Sequence, residues 1–151
     1  MDRLEVLRRC DLFRNLDDEQ LREVEKLCTP EVFELGAIMC KQGRRADKVY
    51  VIEEGLAGII LEVGPLSERQ VQPASNFDVV GWSALIEPYV STATVRALER
   101  TKVLAFDAHE LGRLLRTRPD IGYKVGPAVA YVVAKRLHNA YTQLLGVTSQ
   151  D

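Results

Sequence analysis

The chain has 151 residues, a formal net charge of −2 and a hydrophobic fraction of 46%, values that suit one folded domain and exclude wholesale disorder. So balanced a charge supplies no basic face for nucleic acid. The amino terminus, MDRLEVLRRC, is charged where a secretory signal is apolar, and no apolar run approaches the ~18 residues of a membrane span, so a cytoplasmic protein with no membrane partner is expected.

Residues 16–28, LDDEQLREVEKLC, predict a helix. Asp17 stands at its cap, Gln20 follows at capping-box spacing, and Leu21, Val24, Leu27 and Cys28 share one face. Pro30 is expected to end it. From residue 31 to residue 107 the pattern changes to short strands broken by glycine. VFELGAIMCKQG closes at Gly43. KVYVIEEG sets Val49 and Val51 on one face, Tyr50 and Ile52 on the other, and stops at Gly55. GIILEVG follows, then a polar stretch from Ser67 to Asn76, then TATVRA and KVLAFD. Strands this short and frequent predict a β-roll or jelly roll, and no proline falls inside the best of them. The three cysteines, Cys10, Cys28 and Cys40, contain no CxxC pair, so neither a disulfide framework nor a zinc site is expected.

Helices return at residue 108. Asp107 is placed to cap the segment DAHELGRLLRTRPD, with Glu110 three residues on and Leu111, Leu114 and Leu115 on its buried stripe. The segment 120–146 is the longest helix candidate. Ala130, Val133, Leu137, Ala140 and Leu144 recur in it at alternating three- and four-residue steps, the spacing of a helix–helix seam. Val125, Val129 and Val132 form a neighbouring stripe. Two stripes imply two partners, the domain's own sheet and a second helix. No other segment here matches it in length, so a parallel or nearly parallel homodimer through 130–144 is expected. One wide buried face is the alternative. Pro127 either opens this helix or kinks it one turn in.

Mainly β with flanking helices, the order is one domain over 1–151: a helical N-terminus 1–30, a β-roll 31–107 and C-terminal helices 108–146. It resembles the cyclic-nucleotide-binding domains, known from the catabolite-activator and fumarate-nitrate families of bacterial regulators. LFRNLDDEQL is similar to the family's entry helices. FELGAIMCKQGRRADKVYVIEEG is similar to its first hairpin, with Gly36, Gly43 and Gly55 at glycine positions. VVGWSALIEPYVSTATVRA resembles its phosphate-binding cassette, and IGYKV with AKRLHNA its dimerisation helix.

In that family a glycine opens a short helix whose N–H groups attract a phosphate, a Glu follows it to bind the ribose, and an Arg farther on pairs with the phosphate. The resemblance therefore implies a ligand site at Val80, Gly81, Trp82, Ser83, Ala84, Leu85, Ser91 and Thr92. Trp82 stands at the Glu position and Ser91 at the Arg position. Losing two charged hydrogen bonds of about 1.5–3 kcal/mol each removes about 3–6 kcal/mol, so ordinary cyclic AMP or cyclic GMP binding is disfavoured. Two readings of Trp82 stand side by side. Its indole reshapes the pocket for another ligand, or it fills the ribose space and shuts the pocket. The ligand expected is a cyclic nucleotide or another small anionic or aromatic molecule. The competing expectation is a dimeric scaffold that binds an unidentified partner protein and no small molecule.

The family's regulators carry a helix-turn-helix after the long helix. Neither a recognition helix nor a basic cluster follows Leu145 here, so direct DNA binding is not expected. The two histidines, His109 and His138, both fall on helices, and the strand region holds none. No metalloenzyme ligand set results, and a non-catalytic module is expected.

Overall fold

The structure, a computed structural model, describes residues 1–146. The chain enters through α1 (Arg3–Arg9) and α2 (Asp18–Glu25). Both halves of the capping box form at α2: the Gln20 N–H donates to Asp17 Oδ1 at 2.9 Å, and the Asp17 N–H donates to Gln20 Oε1 at 3.0 Å. The helix stops at Glu25 and Pro30 does not end it, because Cys28–Phe33 is already a strand, β1. Seven more follow: β2 (Ile38–Cys40), β3 (Lys48–Glu54), β4 (Ala57–Gly64), β5 (Ser67–Ala74), β6 (Val79–Val80), β7 (Thr94–Ala97) and β8 (Thr101–Asp107).

These strands form two antiparallel four-stranded sheets, ordered β1-β8-β3-β6 and β2-β7-β4-β5. The polar stretch that begins at Ser67 forms β5, an outer strand paired with β4. Two strands contain proline, Pro30 in β1 and Pro73 in β5, neither of them among the strands most legible in the sequence. Both are edge strands, where a missing N–H can face away from the ladder.

The alternation in KVYVIEEG becomes two cores. Tyr50 and Ile52 point between the sheets with Val103 and Ala105. Val49 and Val51 point outward with Leu104 and Phe106, under the helices. The first sheet is thus covered on both faces, which explains its nearly unbroken apolar run. Burying a side chain such as Phe106 or Leu104 contributes about 1.5–3 kcal/mol.

Two helices close the chain, α3 (Ala108–Thr117) and α4 (Pro119–Leu144). Asp107 caps α3 by accepting the Glu110 N–H at 3.0 Å. Pro119 opens α4, so Pro127 lies inside the helix and does not begin it. Ile121, Val125, Val129 and Val132 are buried. Of the expected seam, Val133 leans on the domain's own core, while Ala130, Leu137, Ala140 and Leu144 face solvent.

Candidate ligand cavity in the β-roll

The cassette begins where β6 leaves β3. Gly81 takes the left-handed conformation, φ 82°, and a Cβ added there would stand 2.6 Å from the Lys48 carbonyl oxygen. Glycine is therefore required both by dihedral and by space. The next four residues, Trp82–Leu85, make one 3₁₀ turn in place of an α-helix. At about three residues per turn, successive side chains diverge widely. Trp82 and Ser83 line a cavity in the β-roll, but Ala84 and Leu85 do not. Those two pack toward the helices instead, in the core beneath α3 and α4. Of the expected ligand-site residues, Ala84 and Leu85 thus lie apart from this cavity.

The return arm brings Ser91 back under the turn. Its N–H donates to Arg44 O and its carbonyl accepts from the Gly43 N–H, each at 2.9 Å, which leaves the buried side chain against the cavity. Thr94 is absorbed by structure: its oxygen accepts the Gln42 N–H at 3.0 Å and donates to Glu62. Arg96 points away from the cavity and makes two bonds to Glu68, at 2.8 and 3.3 Å.

The cavity holds about 150 Å³ and gathers Val80, Gly81, Trp82, Ser83, Ser91 and Thr92 from the expected set. Trp82 belongs to neither core cluster and is partly exposed, so the indole forms a wall. None of the described residues lining the cavity is Asp or Glu. One lining residue was not anticipated, Arg136 from α4. Its Nη2 donates to Val79 O at 3.0 Å and its Nη1 to Gln72 Oε1 at 3.4 Å, while Gln72 Nε2 donates back to Arg136 O at 3.0 Å. Burial lowers the guanidinium pKa, against the attraction of Asp78. The signal lay in the helix spacing, since Arg136 continues the stripe of Val125, Val129 and Val132.

A second cleft, of about 600 Å³, lies on the other side of the turn, between Leu85, Tyr89 and the residues of α3 and α4. Cys40, in the first cavity, is pushed up to about 12 by burial and stays a thiol. Among the described residues no group of three or more His, Cys, Asp or Glu is arranged to hold a metal, and no helix is long and apolar enough to cross a membrane.

The model of the cyclic nucleotide-binding domain matches residues 30–118, from β1 to the end of α3. The chain belongs to the cyclic nucleotide-binding domain family. Among solved structures of this family's fold, the N-terminal domain of a transcriptional regulator from Streptomyces coelicolor is 30% identical. The match covers 86% of this chain and 93% of that one at a TM-score of 0.74. A cyclic nucleotide-binding domain from Methylobacillus flagellatus, 18% identical, shares the fold over 95% of this chain and 80% of its own, at a TM-score of 0.83. The cAMP-dependent protein kinase regulatory subunit of Schizosaccharomyces pombe is 28% identical over 116 residues, 77% of this chain and 27% of that protein. The chain spans between 15% and 64% of the length of the curated relatives it matches.

Proposed function

We propose that this cyclic nucleotide-binding domain is a non-catalytic, ligand-responsive regulatory module whose ligand is not ordinary cyclic AMP or cyclic GMP. The observation that carries this is the cavity wall: Trp82 and Ser91 both line it, and no carboxylate does among the described residues. A ribose hydroxyl therefore meets an indole, and a cyclic phosphate meets a hydroxyl where a guanidinium is usual. The loss of about 3–6 kcal/mol turns a micromolar site into a millimolar or weaker one. What the wall offers is a flat apolar surface, small hydroxyls and the Arg136 guanidinium, suited to a small anionic or aromatic ligand.

Occupancy acts by biasing how α3 and α4 pack on the β-roll, and it can do so only through different affinity for the two arrangements. The output is read by a second copy of the chain across α4 or by a partner protein, without direct contact with DNA. A scaffold that takes no small molecule is the second reading, favoured by the exposed Leu137, Tyr141 and Leu144.

Calorimetry with cyclic AMP, cyclic GMP, other nucleotides and small aromatic anions separates the two. Cyclic AMP and cyclic GMP are expected to bind weakly or not at all to the natural chain. The double variant Trp82→Glu with Ser91→Arg is expected to gain about 100-fold or more in cyclic nucleotide affinity. A folded protein indifferent to every ligand supports the scaffold.

A further inference from the structure

A guanidinium reaches the β-roll cavity from outside the roll. Arg136 follows Val132 on α4 by one helical turn, on the stripe that packs against the sheet. That is an unfavourable place for charge, since removal from water disfavours the ionised form. Only two of its five N–H donors carry the hydrogen bonds described above, and both acceptors are neutral oxygens of Gln72 and Val79. Arg136 forms no salt bridge among the described residues. Beside it in the cavity wall, the Ser83 and Ser91 hydroxyls and the Trp82 indole N–H also have no hydrogen-bond partner among the described residues. A cation that makes no salt bridge among the described residues, unused donors and a flat ring thus converge on about 150 Å³.

We infer that Arg136 is the anion grip of this cavity, binding the oxyanion of a compact ligand whose flat part rests on Trp82 and so tying α4 to the β-roll. A guanidinium presents parallel donors that match phosphate or carboxylate oxygens, and such charged bonds are about twice as strong as neutral ones. The inference rests on the ligand-sensing reading above and adds to it the ligand's chemical class and the element that feels it. Because the grip rides on α4, a bound anion adds a charged contact between that helix and the β-roll, beyond the apolar packing of Val125, Val129 and Val132.

The chain has a single tryptophan, and it lines this cavity, so Trp82 emission reports occupancy. The intact chain is titrated with phenyl phosphate, benzoate and phenol, which share a ring and differ in charge. At least one anion is expected to saturate the signal with at least about tenfold tighter affinity than phenol. Which of the two does so tells phosphate from carboxylate. Arg136→Gln is expected to erase the anion's advantage, and Arg136→Lys to keep part of it. Hydrogen exchange along residues 130–144 is expected to slow with the anion in the natural chain and in Arg136→Lys, and not in Arg136→Gln.

Anions bound equally well by the natural chain and Arg136→Gln overturn the assignment and leave ligand sensing standing. Should Arg136→Gln fail to fold, the natural chain decides alone: phenol binding as tightly as both anions overturns the grip. If none of the three probes, nor any ligand in the calorimetric series, alters Trp82, ligand sensing fails and the grip with it.

Discussion

Gly81 is the single residue on which the cassette turns. Its φ of 82° is one that side chains rarely adopt, and its missing Cβ leaves room for the Lys48 carbonyl 2.6 Å from where that atom would stand. The obstacle is backbone of β3, which cannot swing aside as a side chain would. Gly81→Ala is therefore expected to destabilise the fold by about 1–3 kcal/mol, read as a lower urea midpoint at unchanged slope. It should also shift Trp82 emission, because the turn that places the indole must move. At this scale the sequence revealed the cassette but not its facing. Ala84 and Leu85 are contiguous with Trp82 and Ser83, yet one 3₁₀ turn sends them to the opposite side. Arg136 was hidden for a different reason: it is 45 residues from Ser91, and a charge on a helix reads as solvated unless its place on the buried stripe is weighed.

Pairs of elements are joined by side chains that sequence patterns hardly reveal. Arg118, at the start of α4, donates to Glu19 of α2 and to Asp120, each at 2.8 Å, and Gln20 donates to Asp120 at 2.9 Å. Hydrogen bonding to Arg118 holds both carboxyls below their ordinary values of 4.5 and 3.8. A carboxyl whose folded pKa is depressed contributes its stabilisation fully above the unfolded pKa and loses it as the pH falls through the folded one. The chain is thus expected to lose thermal stability on acidification below about pH 4.5, and Arg118→Gln is expected to flatten that limb. These groups are exposed and screened, so the change is small and best followed as Tm against pH at low salt. An Arg118→Gln chain with an unaltered acid limb would assign the acid sensitivity elsewhere. The strands were more legible than this network. Alternation in KVYVIEEG announced both faces of β3, whereas β5 was hidden because an edge strand that buries little carries few apolar residues. Pro30 misled in the same way, since an edge strand tolerates the residue that ordinarily marks an ending.

On the scale of the whole molecule, α4 runs along the domain with one side left uncovered. Val132 is its last buried residue, and the twelve positions from Val133 to Leu144 extend roughly 18 Å beyond it. Leu137, Tyr141 and Leu144 are 49%, 57% and 84% exposed along that length, a contiguous apolar stripe of the kind that marks an interaction surface. Ala130 and Ala140 on the same side admit close approach of a second helix. In a two-fold pair each residue near the axis meets its own copy, so Leu137→Glu would set two carboxylates against each other in an apolar seam. The natural chain is expected to sediment as a dimer and Leu137→Glu as a monomer with its β-roll intact, judged by unchanged Trp82 emission. Lys135→Ala, which removes a salt bridge to Asp11 on the domain side, should leave the dimer in place. Because Arg136 neighbours Leu137 on the same helix, an anion that fixes α4 should also shift the monomer–dimer equilibrium, by the same factor that dimerisation shifts anion affinity. A Leu137→Glu chain that still sediments as a dimer would move the interface off this seam and uncouple it from the cavity.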